Sequence, residues 1–180
     1  MATTPRLIER VNICECITPV LLNTGNNTGD WVSLQHYTGV LCVVHKAVAN
    51  TGQDIDITVL QATNVSGASS KAVSLAGGVY DKVGATTIPN GVWTRTNDSD
   101  DLGTYTNLVS GENEYIAAID IQVDDLDVAG GFDCVQLNID DPGTFVHFGL
   151  ALYFLYGPRI AGSPDTGGST PIRMPSPLVD

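Results

Sequence analysis

Two stretches of the chain alternate apolar and polar residues with a period of two. In residues 54–62, Ile55, Ile57 and Val59 fall on one side and Asp54, Asp56 and Thr58 on the other. In residues 114–123, Tyr115, Ala117, Ile119, Ile121 and Val123 share a side. Such spacing puts successive side chains on opposite faces of an extended strand and cannot line one face of a helix. Residues 132–139 repeat the pattern with Val135, Leu137 and Ile139 inward. Further strand candidates lie at 30–37, 39–48, 71–75, 79–83 and 144–156, the last apolar on both faces. A strand of that kind is buried on both sides, or its outer side meets another subunit.

Turn formers punctuate these runs. The segment 63–70 reads TNVSGASS, Gly77-Gly78 and Gly130-Gly131 interrupt the chain, Asn90-Gly91 is a hairpin signal, and Asp141-Pro142-Gly143 marks another turn. About seven to nine strands at spacings of about 8–12 residues predict an all-β fold, an antiparallel β-sandwich. No repeat of about 20–50 residues suggests a solenoid or propeller.

Charge narrows the partners. The net charge is −12, and between Asp98 and Asp141 twelve acids occur with no Lys or Arg. Phosphate-led binding to nucleic acid is disfavoured, and the acidic stretch is a solvated face or a surface for a basic partner or a cation. No apolar run reaches the roughly 18 residues of a membrane span, and the first residues lack the apolar core of an export signal. The expectation is an acidic globular module that folds in a reducing compartment, with Cys14, Cys16, Cys42 and Cys134 as free thiols.

Catalytic patterns are absent from the sequence. His36, His45 and His147 lack the close spacing of zinc ligands. Ser70 precedes Lys71 without a nucleophile motif, and no phosphate-binding glycine motif occurs. Asp120, Asp124, Asp125 and Asp127 could pair as glycosidase carboxylates, but only Trp31 and Trp93 would be available as indole platforms for a sugar. Asp98, Asp100 and Asp101 offer oxygen ligands for calcium, yet Leu102 and Val109 stand where an EF-hand loop needs ligands. The chain therefore reads as a non-enzyme without a cofactor.

The two ends differ from the middle. Residues 1–25 hold one apolar patch, LIERVNICECITPVLL, before a polar loop, and read as an N-terminal arm. Residues 26–157 form the sandwich body. Residues 158–180 hold five prolines and three glycines and read as an extended C-terminal arm. Its Ile160, Ile172, Met174 and Leu178 are apolar anchors, beside Arg159 and Arg173; at the other end Arg6, Leu7, Ile8 and Arg10 have the same mixture.

These parts, in this order, have a resemblance. LIERVNICECITP leads through a Gly/Asn loop into YTGVLCVV; an Ile/Val-alternating strand follows, then QATNVSGASSKAV, and a Pro-rich end. The arrangement resembles the cement or decoration (auxiliary head) proteins of tailed bacteriophages. The resemblance implies a jelly-roll-like body with terminal arms crossing neighbouring copies. It implies a structural virion protein on the capsid exterior, assembled in the host cytoplasm, that binds the major capsid protein and stabilises the shell. It implies a homotrimer, with the named residues of both arms in contact and with neither nucleic acid nor membrane as partner. Two other readings use the same residues differently: a carbohydrate-binding module of a tail or fibre, built on Trp31, Trp93 and the acidic loop, and a head–tail adaptor or tail subunit assembled in rings.

Overall fold

The alternating runs become the central strands of two stacked sheets. The protein is described by a computed structural model over residues 6–49, 54–75, 77–84, 87–96, 104–106, 113–144 and 146–158. Its strands are β1 (Val11–Leu21), β2 (Asn27–Thr28), β3 (Val32–Ser33), β4 (Gly39–Lys46), β5 (Asp56–Ala62), β6 (Lys71–Ala72), β7 (Val79–Val83), β8 (Thr94–Thr96), β9 (Thr104–Thr106), β10 (Tyr115–Gln122), β11 (Cys134–Ile139) and β12 (Phe148–Tyr156). A single helical turn, α1 (Thr87–Asn90), lies between β7 and β8.

The first sheet has the order β1-β12-β4-β10-β7-β8, and the second β2-β11-β5-β6, with β3 also on β11 and β9 also on β5. Every pairing is antiparallel. The pairs nest: β1 with β12, β2 and β3 with β11, β4 with β10, β5 with β6 and β9. That is one long hairpin rolled up so that its pairs fall alternately in the two sheets, the wiring of a jelly roll. The β7–β8 ribbon widens the first sheet.

The inward positions of the two sheets make one core. Val40, Cys42 and Val44 of β4, Ile119 and Ile121 of β10, and Tyr153 and Leu155 of β12 pack with Ile57 and Val59 of β5 and Leu137 and Ile139 of β11. β-Branched side chains suit this pleated, enclosed surface.

Tyr153 does more than fill space. The second sheet is interrupted beside β11, because β2 and β3 are separated by Gly29–Trp31. There the Leu137 amide, which points out of the β11–β5 ladder, donates to the Tyr153 hydroxyl at 2.8 Å. The hydroxyl in turn donates to the Asp30 carbonyl at 3.1 Å. The Asp30 amide donates to the Cys16 carbonyl of β1 at 3.1 Å. A side chain from one sheet thus closes the gap in the other. Gly29 makes the approach possible: a Cβ there would lie 2.4 Å from the Leu137 carbonyl oxygen and 2.6 Å from the Cys16 Sγ.

The N-terminal arm expected over residues 1–25 is corrected in part. Residues 11–21 form β1, an edge strand that pairs along β12. Register shifts between Glu15 and Ile17 and between Ile17 and Val20 break its alternation, so that Cys16 and Ile17 are both buried. Pro19 is tolerated because an edge strand has one unpaired side. The strand expected over residues 30–37 shrinks to β3, because the Tyr37 amide turns back to the Leu34 carbonyl and the Ser33 hydroxyl accepts from the Gln35 amide. Asn90-Gly91 ends a helical turn and does not make a two-residue hairpin. The C-terminal arm, residues 159–180, lies outside the described residues.

Tyr153→Phe removes one hydroxyl and takes this partner from the buried Leu137 amide and the part-buried Asp30 carbonyl. The expected cost is about 1–3 kcal/mol in urea unfolding. A loss below about 0.5 kcal/mol, the low end for a net hydrogen bond, would show that the sheets are not held this way.

Candidate functional site

The chain enters the described body through a three-residue 3-10 turn, Leu7–Glu9. The Glu9 carboxylate accepts from the Arg6 amide at 2.7 Å, and the Arg10 amide donates to the Leu7 carbonyl at 2.9 Å. A turn closed on itself in this way pushes its middle side chains outward. Leu7 is 75% exposed and Ile8 62%, with Arg6 and Arg10 also exposed. Val11, the next residue, pairs with Tyr156, the last residue of β12. The two ends of the body therefore leave it side by side. On the exit side the Thr38 hydroxyl donates to the Gly157 carbonyl at 2.9 Å, and Gly157 takes a φ of +59° that suits glycine.

Beside this corner begins the outer face of the first sheet. Its register lines up outward rows: Ile13, Phe154, Leu41 and Asp120 in one, and Leu152, Val43, Ala118 and Tyr80 in the next. Tyr156 lies across Gly39, where a Cβ would meet its hydroxyl at 2.5 Å, and donates to Asp120 at 2.7 Å. Burial first, and then the Asp120 charge, push the Tyr156 phenol far above its usual range, so it stays a donor. The doubly apolar character of residues 144–156 signalled this face. Its continuation onto β4 and β10 depends on which strands pair, and only the fold reveals that.

The other sequence candidates are dispersed. Asp125 accepts from the Gln122 amide at 2.8 Å. Asp127 holds Lys71 at 2.5 Å and the Gly130 amide at 3.0 Å, and Lys71 also lies 4.1 Å from the centre of the Phe132 ring. The hydrogen bond from Lys71 keeps the Asp127 carboxyl below the ordinary range. These carboxylates shape turns, and Asp120 is already engaged by Tyr156. His45 pairs with Glu114 at 3.1 Å, while His147 is buried before β12. Among the described residues no three His, Cys, Asp or Glu side chains converge on a metal position. Asp98, Asp100 and Asp101 lie outside the described residues, as do Arg159, Ile160, Ile172, Arg173, Met174 and Leu178.

The two tryptophans do not form one platform. Trp31 directly precedes β3, beside the β1 edge, and packs on Gly67. Trp93 directly precedes β8, the opposite edge of the first sheet, and lies 4.9 Å from Lys82 Nζ. No described helix is long and apolar enough to cross a membrane.

All four cysteines are free thiols. Burial pushes Cys16 up to about 12 and Cys42 well above its usual value, and raises half-buried Cys14 as well. A thiol reagent at neutral pH should therefore modify Cys14 first in the folded protein, and all four only after unfolding. Rapid modification of Cys16 or Cys42 in the native state would contradict the closed core. Comparison with known proteins finds no matching family model, no matching curated protein and no matching solved structure.

Proposed function

We propose that the chain is a structural virion protein that binds the outside of a tailed-bacteriophage capsid as a homotrimer and stabilises the shell. The observation that carries this reading is the corner where both ends of the body emerge, with Leu7 and Ile8 exposed between Arg6 and Arg10. Exposed apolar side chains on a short closed turn suit insertion into a pocket on another protein, here the major capsid protein. The two arginines add hydrogen bonds to acidic or carbonyl groups at the rim. Residues 159–180 come next in the chain, and in this reading Ile160, Ile172, Met174 and Leu178, with Arg159 and Arg173, add to the binding.

The mechanism is mechanical. A rigid two-sheet body holds each anchoring corner in place, so little conformational entropy is lost when it docks. Copies joined to one another dock at several sites together, and the second and third attachments are effectively intramolecular. The clamp then resists the outward pressure of packaged DNA. The charge of −12 keeps the protein from competing for that DNA. This assigns the protein to the virion exterior after assembly in the host cytoplasm, with no reaction, cofactor or membrane partner.

Imaging the phage particle with and without the protein tests the reading directly: added density on the outer shell supports it, and density confined to the tail or neck overturns it. The variant L7S/I8S should bind shells about tenfold or more weakly, since each side chain contributes roughly 1.5–3 kcal/mol when fully buried, with its unfolding midpoint unchanged. Removing residues 158–180 should likewise weaken shell binding, measured by co-sedimentation, without unfolding the sandwich. Full-strength binding by the truncated protein would exclude a role for that segment.

A further inference from the structure

We infer that the outer face of the first sheet, from β1 across β12 and β4 to β10 and β7, is the surface through which copies of this chain contact one another. This contact goes beyond the docking corner and rests on the reading above only for the number of copies.

The face is apolar over neighbouring positions of β12 and β4, with Asp120 of β10 and His45 of β4 beside them. Leu152 and Val43 stand directly opposite each other on β12 and β4, and Phe154 and Leu41 do the same one row away. Ile13 extends the second of these rows onto the edge strand, and Tyr80 ends the first on β7. Ile13 is 49% exposed and Tyr80 38%. Inward neighbours in the same strands fill the core. Leu41, Val43, Leu152 and Phe154 are partly exposed, and among the described residues the elements packed most extensively on these strands are their sheet neighbours, the N-terminal turn and α1.

Charge identifies the occupant. The chain carries −12, yet the outward groups of this face are Glu15, Glu114 and Asp120 against Lys82, Arg95 and His45. Two of the acids are engaged locally, Glu114 by His45 and Asp120 by the Tyr156 hydroxyl. Leu152, Val43, Phe154 and Leu41 carry no charge. A basic partner would be drawn to the more acidic parts of the chain. A second copy has the opposite requirement: it brings the same −12 and needs a contact at which like charges do not oppose. An apolar middle with a charged margin is also the composition of interface cores.

The dimensions agree. Five strands at about 4.8 Å give a width of about 24 Å, and the longer strands cover about 25 Å, on the order of 600 Å² per copy. Stable interfaces take roughly 600–1,000 Å² from each partner.

Mass photometry and sedimentation velocity of the full chain test the contact, with L152K, V43K and the milder I13K as variants. Each lysine puts a charge into the apolar middle of the contact, where it would be buried without a partner. The wild type should be a dimer or trimer; L152K and V43K should each self-associate on the order of thirtyfold more weakly, the effect of losing a central contact residue, and I13K by a smaller factor. Urea unfolding checks that each variant is folded. I13K lies on the edge strand and retains the test if the two central variants fail to fold. A trimer that dissociates in the variants supports both this contact and the homotrimer proposed above. A dimer that dissociates supports the contact and removes only the count of three. A monomeric wild type, or an oligomer unchanged in folded I13K and L152K, overturns the contact. Shell binding through Leu7 and Ile8 is read separately, by co-sedimentation.

Discussion

A sandwich is only as rigid as its open edges, and here one phenol closes the edge on which both chain ends depend. Tyr153 reaches from β12 to the Leu137 amide in the opposite sheet and to the Asp30 carbonyl beside it. The bond to the Leu137 amide is buried and the one to the Asp30 carbonyl part-buried, and an unpaired enclosed amide is costly. In such a setting a hydroxyl that accepts once and donates once satisfies two groups with one atom. The bond from Asp30 to Cys16 carries the closure on to β1. The far edge is closed by a similar device: the Tyr105 hydroxyl of β9 donates to the buried Asp81 carboxylate of β7 at 3.1 Å, and Thr96 of β8 donates to the same oxygen at 3.4 Å. Each edge therefore has a tyrosine that crosses between sheets, one meeting backbone and the other a carboxylate.

This closure explains why the outer face of the first sheet is available for a partner. Strands β4, β10 and β12 owe their place to inward residues such as Cys42, Ile119 and Tyr153, which are buried. Their outward residues need only fit a pleated surface, and polar side chains would serve that purpose and favour solubility. Leucine, valine and phenylalanine stand there instead. Gly39 is the exception that gives the face its shape: without a side chain of its own it lets the Tyr156 ring lie flat across β4 and reach Asp120.

The strands were legible wherever one face is buried and the register is unbroken. β7 matches its sequence reading residue for residue at Val79–Val83, and β5 and β10 differ from theirs only at the ends. β1 was hidden because its two register shifts put Cys16 and Ile17 on the same side, which destroys a period of two. The run at 30–37 looked like a strand because Val32, Leu34 and Tyr37 are all buried, but a turn buries them and not a ladder. The role of Tyr153 had no local signal. In TFVHFGLALYFLY it is one aromatic among several, and its partners lie in β11 and beside β3. The exposed apolar turn at Leu7 and Ile8 was legible as a contact candidate, whereas its proximity to the end of β12 was not, since that follows from the β1–β12 pairing.

Charge and apolar surface then act at different ranges. At physiological ionic strength the Debye length is about 8 Å, so most of the −12 on one copy is invisible to another until the surfaces nearly touch. At that distance only the charges on the opposing surfaces count. Most orientations of two copies bring carboxylates together and are repelled. An approach through the outer face of the first sheet opposes leucine, valine and phenylalanine, with Lys82 and Arg95 at one margin and Glu15 at the other. Repulsion therefore does not prevent the proposed association; it selects its geometry by making every other geometry worse. A chain this acidic can stay dispersed when dilute and still have one preferred way to meet itself.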